Sequence, residues 1–476
     1  MDSDIWLSLA ALLVPTASVL VTGHAVLSKR DSRSTVTWVA LAWLVPVIGA
    51  LLYLLFGINR MNRRISALGM ERGEWADDVH SCSRDTLREH LGSKDSHLVT
   101  LGDAMNRITV RPLVAGNVVK PLVDGEEAYP AMLNAISRAR ESVTLATYIL
   151  GNDFVGRQFA DALEAAMQRG VKVRVLIDNA GERYTWPSMV GVLRRRGVRV
   201  ERFFPSLRTR FFGINLRNHR KLLVVDGRIG FTGGMNIRRH HCMSSGIRAT
   251  RDLHFRLEGP VVRQLQEVFY EDWYFACRER LVGTRWFPQL TPVGPVIARG
   301  VRGGPDDNLL KHHLALLAGI ASAKRTIRVL TPYFLPDATL ISALNMASLR
   351  GVSVDIVLPA HSNLPFVHWA MMAQISDLMD YDVRIWFTGR PFDHSKLMVV
   401  DEAWTFLGST NWDPRSLRLN FEFNVECYDR ALGIELASRI SSRINAARRL
   451  TRDDIDDRML PARLRDGLAR LLMPYL

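Results

Sequence analysis

At 476 residues, 47% hydrophobic and 23% charged, the chain is too long for one ordinary domain and too apolar for a disordered one. Lys and Arg outnumber Asp and Glu by 62 to 48, a net charge of +14, which points to an acidic partner: membrane lipid, nucleic acid or a phosphorylated small molecule. Four widely spaced cysteines (Cys82, Cys242, Cys277, Cys427) with no C-x-x-C pair argue against a disulfide scaffold and a structural zinc site, and for a reducing, cytoplasm-facing body.

Residues 5–27 and 36–57 are almost free of charge. As helices rising about 1.5 Å per residue, each reaches about 30 Å, the thickness of a bilayer's hydrocarbon layer. A short basic segment, Lys29 to Arg33, separates them, and Arg60, Arg63 and Arg64 follow the second. Residues 1–64 therefore read as a membrane hairpin, with His24 as a helix-end residue near the interface. A cleaved signal peptide fits less well, because Asp2 and Asp4 stand where a basic segment belongs. The even number of spans puts the N-terminus and the large body on one side, and basic flanks of similar size leave the charge rule nearly tied. Residues 65–119 read as a linker and the start of the soluble body.

From about residue 120 onward, short apolar runs alternate with amphipathic segments, the pattern of α/β architecture. Segments 131–141 and 157–169 read as helices, 142–149 and 171–177 as strands. The same order recurs with helices at 313–325 and 337–350 and strands at 326–331 and 352–358. Arg-Gly-Val joins helix to strand in both copies, at 169–171 and 350–352. The body is thus expected to be a duplication, with one half at 120–300 and the other at 301–476.

Each copy carries one motif with identical spacing. His219-x-Lys221-x-x-x-x-Asp226, followed by Gly233-Gly234-x-Asn236, matches His394-x-Lys396-x-x-x-x-Asp401, followed by Gly408-Ser409-x-Asn411. His and Lys two apart on a strand project from one face. The apolar residues after each Lys make a buried strand, a hairpin turn follows at Asp226-Gly227 and Asp401-Glu402, and the returning strand carries each Asn back toward its own His and Lys. If the copies pack about a pseudo-twofold, one pocket holds two His, two Lys and two Asn.

Two cations and two amides can hold a phosphodiester and the charge that develops on its oxygens, without a metal or cofactor. One neutral imidazole can attack phosphorus while the other, protonated, serves the departing alkoxide and later the incoming hydroxyl. Each imidazole needs a carboxylate to fix its tautomer. The candidates are Asp252 in the first half and Glu422 in the second, from their places after each Asn. Asp226 and Asp401 complete the motifs as candidate catalytic residues, and equally suit a turn or an ion pair.

These residues resemble the phospholipase D superfamily with its paired HKD motif, and the chain as a whole is similar to bacterial cardiolipin synthases of the two-span membrane type. The likeness covers the hairpin, Asn218-His219-Arg220-Lys221, and Gly408 to Ser416 leading to Asn420-Phe421-Glu422. It implies two α/β halves around one active site, at the bacterial inner membrane with the body on the cytoplasmic side. The implied reaction transfers a phosphatidyl group from one phosphatidylglycerol to another and releases glycerol, with His219 as nucleophile and His394 as acid and base. Anionic phospholipid and the bilayer are then the partners; no nucleic acid is expected, and a homo-oligomer is compatible with the sequence. A hydrolytic phospholipase D would use the same residues, and a superfamily nuclease fits the charge but not the two spans.

The region Arg238-Arg239-His240-His241-Cys242 departs from the family's aromatic and acidic pair. It reads as a basic surface loop rather than a metal site, since adjacent side chains rarely converge on one ion. Between Arg194 and Lys221, arginines interleave with Phe203, Phe204, Phe211 and Phe212, which suits either a headgroup-binding surface or an arginine-rich helix end with core phenylalanines. The tail from Pro461, with Leu464, Leu468, Leu471 and Leu472 at helical spacing, suits amphipathic packing or a second membrane contact.

Overall fold

The computed structural model describes residues 2–28, 32–57, 81–203, 216–304 and 310–471. The chain divides into two compact units, one of residues 1–69 with 205–215 and one of residues 70–204 with 216–476.

The first unit contains a helical hairpin. Asp2–Ser28 forms one long helix, and the second stretch is broken into Ser32–Leu44, Pro46–Leu52 and a π-helical turn, Tyr53–Gly57. The expected continuous second span is interrupted because Pro46 has no N–H to give and restricts the residue before it, so Val45 leaves the helical region (φ −135°, ψ 69°). Small residues let the helices approach: Ala25 and Ala42 are fully buried, and Ser18 Oγ donates to the Ala42 carbonyl at 2.6 Å. His24 Nδ1 meets the Tyr53 hydroxyl at 2.7 Å, so this helix-end histidine is part of the hairpin's packing. Among the described residues, no helix is long and apolar enough to cross a membrane.

The second unit is built on one sheet of fifteen strands and a separate two-stranded sheet of Thr250–Arg251 and Phe392–Asp393. In the first half these are β1 (Val114–Val123), β2 (Ser142–Thr147), β3 (Lys172–Asp178), β4 (Val200–Phe203), β5 (Leu222–Val225) and β6 (Ile229–Gly233). A short β7 (Thr250–Arg251) precedes β8 (Leu253–Glu258). The second half repeats them as β9 (Val296–Gly303), β10 (Thr326–Leu330), β11 (Ser353–Pro359), β12 (Arg384–Thr388), the short β13 (Phe392–Asp393), β14 (Leu397–Val400), β15 (Trp404–Gly408) and β16 (Glu422–Tyr428). A two-residue β17 (Arg448–Arg449) closes that edge.

Sheet order is β17-β12-β11-β10-β14-β15-β16-β9-β1-β8-β6-β5-β2-β3-β4. Read outward from the central antiparallel β9/β1 pair, each half runs in the same order, so the duplication is present as a pseudo-twofold. Core strands β2, β5, β14 and β15 are buried throughout, as the continuous apolar runs of β5 and β14 require. The eight helices and strands expected at 131–177 and 313–358 are all present, with ends moved by a few residues.

Residues 84–108 are not a plain connector. Helices Arg84–Asp95 and Val99–Ile108 bury Leu87, Leu91, Val99, Leu101 and Met105 in the core of the second half. In the Arg194 to Lys221 segment, Phe203 is a core residue packed on Phe275 and Phe421. Of its described arginines, Arg196 pairs with Asp161 and Glu164 and Arg202 with Glu182. Phe204, Arg208, Arg210, Phe211 and Phe212 lie outside the described residues.

Candidate active site

The two motif histidines arrive on extended segments just ahead of β5 and β14, and each segment is pinned to the opposite half. Asn218 bridges in parallel to Phe421, and the His219 N–H donates to the Phe421 carbonyl at 2.9 Å. Symmetrically, β13 pairs in parallel with β7, and the His394 N–H donates to the Arg251 carbonyl at 2.8 Å.

This pairing crosses the carboxylates. His219 Nδ1 lies 2.9 and 3.1 Å from the two oxygens of Glu422, a second-half residue at the start of β16. His394 Nδ1 lies 2.8 Å from Oδ2 of Asp252, a first-half residue between β7 and β8. Both expected carboxylates orient imidazoles, but each serves the other half's histidine. The strand pairing brings this about by carrying the residues after Phe421 and Arg251 past the foreign motif.

The hairpins expected after each lysine are present. Asp226 and Gly227 both take left-handed backbone (φ 53° and 64°), as do Asp401 and Glu402 (φ 53° and 58°). Asp226 and Asp401, read as candidate catalytic residues that equally suit a turn or an ion pair, stand in those turns. The Asp226 carboxylate accepts from the N–H groups of Arg140, Glu141 and Ser142 at 2.8–3.2 Å. That of Asp401 accepts from Lys324, Arg325 and Thr326 at 2.7–2.9 Å and meets His97 Nε2 at 2.7 Å. A four-residue strand, roughly 13 Å long at about 3.3 Å per residue, separates each from its lysine.

Gly233 and Gly408, at the ends of the returning strands, allow close backbone approach. A Cβ on either would meet the carbonyl of Leu253 at 2.6 Å or of Phe423 at 2.4 Å. The next position breaks the symmetry. A Cβ on Gly234 would strike the Asp252 carboxylate at 2.3 Å, whereas its counterpart Ser409 donates its hydroxyl to Glu422 at 2.5 Å. The shorter acid sits against glycine and the longer one is anchored by serine. Asn236 accepts from the Ile149 N–H at 3.3 Å and Asn411 donates to Ser416 Oγ at 3.2 Å, both buried.

Lys221 Nζ donates to the His219 carbonyl at 2.6 Å and lies 5.6 Å from the Tyr148 ring centre. Lys396 Nζ lies 3.0 Å from His394 Nδ1 and donates to the His394 carbonyl. The tyrosine rings repeat the symmetry, Tyr148 at 5.2 Å from the His219 ring and Tyr333 at 6.2 Å from that of His394.

Burial disfavours charge throughout this cluster. It brings Lys221, which Lys396 also repels, down to about 7 and Lys396 down to about 8. It lowers both histidines below their ordinary value, His394 further because Lys396 stands beside it. Asp252 is raised by burial, while His219 and Lys221 overcome the same penalty at Glu422 and hold it down at about 2. Each lysine feels both carboxylates, and Lys221 feels Lys396 as well, so the two motifs form one electrostatic site.

Sequence reasoning missed two features. Buried Arg220, on the strand face opposite His219 and Lys221, pairs with Asp272 at 2.5 Å and donates to the carbonyls of Glu422 (3.1 Å) and Gly303 (2.8 Å). His241, read as part of a surface loop, is 1% exposed. Its Nε2 accepts from the Asn236 N–H at 3.3 Å, which leaves the proton on Nδ1, 3.8 Å from the Asp252 oxygen that holds His394. Alternation along an extended strand signals the first; nothing local signals the second.

Residues 132–273 and 316–447 match the cardiolipin synthase, phospholipase D-like domain family, and residues 16–57 match the phospholipase D-nuclease N-terminal family. The chain is 33% identical over 487 residues to the major cardiolipin synthase of Bacillus subtilis, covering 100% of this chain and 99% of that protein. It is 32% identical over 468 residues to cardiolipin synthase A of Pseudomonas entomophila, covering 98% and 97%. A phosphatidylserine synthase of Haemophilus influenzae shares the fold at a TM-score of 0.61 and 14% identity, over 79% of this chain and 100% of that one.

Proposed function

The chain belongs to the bacterial cardiolipin synthase family of the phospholipase D superfamily, and from that premise we propose that it joins two phosphatidylglycerol molecules into cardiolipin with release of glycerol. The observation that carries this reading is the crossed pairing His219–Glu422 and His394–Asp252, which puts two histidines and two lysines in one site suited to a single phosphodiester. With Nδ1 engaged by an ionised carboxylate, His219 presents a neutral Nε2 as nucleophile, and Glu422 stabilises the imidazolium that forms.

His219 Nε2 bonds to phosphorus and the bond to the glycerol oxygen breaks; His394 delivers a proton to that oxygen and glycerol leaves. The glycerol hydroxyl of a second phosphatidylglycerol then loses its proton to His394 and attacks phosphorus, and the phosphorus–nitrogen bond breaks. The burial that lowers His394 is opposed once a phosphate anion offsets Lys221 and Lys396, so substrate itself restores the proton the first step consumes. Lys221, Lys396, Asn236 and Asn411 hold the non-bridging oxygens. The hairpin of residues 1–64 anchors the chain in the inner membrane, with the body on the cytoplasmic side.

Purified protein given defined phosphatidylglycerol, with products read by mass spectrometry, tests this. Cardiolipin and glycerol in equal amounts, absent in His219→Ala, are expected. Phosphatidic acid without cardiolipin would make the protein a hydrolase.

A further inference from the structure

Helix Leu460–Leu471 turns a narrow side of small residues and one aspartate inward and its leucines outward. Its buried residues are Asp466 and Ala469, with Asp466 paired to Arg458 and Arg465. Leu460, Leu464, Leu468 and Leu471, spaced as one stripe at about 100° per residue, are 66, 59, 64 and 73% exposed. The same wheel sets Arg463 and Arg470 along one margin of the stripe and Arg465 along the other.

The stripe continues onto the neighbouring helix, Pro365–Met372. Phe366, Trp369, Leu464 and Leu468 line an open cavity of about 510 Å³, and the Arg465 guanidinium lies 4.5 Å from the Trp369 ring centre. That helix follows the loop after β11, where Asn363 accepts the Tyr333 hydroxyl at 2.6 Å beside His394. In the first half, the loop after β3 sets Tyr184 at 6.1 Å from Tyr148 beside His219, then exposes Trp186 at 93%. Each half thus supplies the site's rim with a loop that ends in outward-facing apolar side chains.

We infer that this rim is a docking surface for an anionic phospholipid bilayer, with the leucine stripe lying in the interface plane on one side of the site and Trp186 seated on the other. The inference rests on the lipid-substrate reading above and adds how a headgroup reaches buried histidines while its acyl chains stay in the membrane. Charge selects the occupant. Leucines flanked on both sides by arginines match an interface in which apolar side chains meet acyl chains and guanidinium groups reach phosphates. A twofold contact with a second copy about the stripe would bring each row of arginines near its own kind.

The test uses the full chain, either reconstituted in phosphatidylglycerol vesicles or held in detergent with dihexanoyl phosphatidylglycerol as soluble substrate. Leu464→Asp/Leu468→Asp and, separately, Trp186→Ser should each lower the rate on vesicles about tenfold or more and leave the rate on the soluble substrate within about twofold of wild type. Because these side chains are exposed, soluble-substrate turnover also reports correct folding. Unchanged vesicle rates, or equal losses on both substrates, would overturn the docking surface. So would parallel losses with a halved particle mass, which would make the face a contact between copies. Wild-type protein that makes no cardiolipin from either substrate would instead overturn the functional reading.

Discussion

Glu422 and Asp252 differ by one methylene and by the neighbour that shapes each, Ser409 for the longer acid and Gly234 for the shorter. Their crossed partners make a mutational prediction that within-half pairing would reverse. With a phosphatidyl ester of p-nitrophenol, whose leaving group needs no proton, Glu422→Gln should behave as a His219 variant. Formation of the covalent phosphatidyl-enzyme should slow by about 10² or more, because the imidazole loses its fixed tautomer. Asp252→Asn should behave as a His394 variant, forming the labelled intermediate and then accumulating it, since the acceptor hydroxyl is not deprotonated. Trapping the labelled protein by rapid quench separates the two, and accumulation in Glu422→Gln would contradict the crossed assignment. The lysines give a second test, through pH. Their folded values are depressed to about 7 and about 8, so their charge is present at lower pH and lost as pH rises through that range. Substrate binding pulls the proton back, so KM for phosphatidylglycerol should climb between about pH 7 and pH 9 while kcat at saturation changes less. A flat KM across that range would show that the lysines do not carry the phosphate charge.

Among the elements, the β5–β6 and β14–β15 hairpins show what a repeat motif can and cannot reveal. Spacing alone located the strands, the turns and the returning asparagines, because side-chain alternation and turn chemistry are local. The same spacing made Asp226 and Asp401 look catalytic, although each is the peg that ties its hairpin turn to the N–H groups leading into β2 or β10. Asp401→Ala should cost about 3 kcal/mol of stability and Asp226→Ala about 2 kcal/mol, since three backbone donors lose a charged acceptor in each and the acceptor Asp401 is the more deeply buried. Thermal melts should register both losses, with kcat per folded molecule retained; a folded variant without turnover would return these residues to the chemistry. The crossed carboxylates were not legible, because β13 with β7 and Asn218 with Phe421 join segments far apart in sequence by backbone pairing that leaves no mark on residue type. His241 was hidden for a related reason: its basic neighbours suggest a solvent-facing loop, and only tertiary packing buries it against Asp252. The helices at 84–108 are short and interrupted, and their apolar faces make sense only against the second half's core.

For the body as a whole, the central β9/β1 pair makes one sheet of two halves, and the site is complete only when both are assembled. β9 also pairs with β16, whose first residue is Glu422, while β1 pairs with β8, which follows Asp252 directly. The strands that join the halves are therefore the same ones that deliver each carboxylate to the opposite histidine. Since one chain supplies both halves through a continuous sheet, it should hold a whole active site without help from another. Chains carrying His219→Ala and chains carrying His394→Ala, co-reconstituted in equal amounts in phosphatidylglycerol vesicles, should then make no more cardiolipin than either alone. Exchange of halves between chains would instead assemble some sites with both histidines intact, and recovered synthesis rising with protein density would reveal it. Buried Arg220, paired with Asp272 in its own half and donating to the carbonyls of Glu422 and Gly303 in the other, makes such exchange costly, because opening the halves leaves a charged donor unsatisfied in the core.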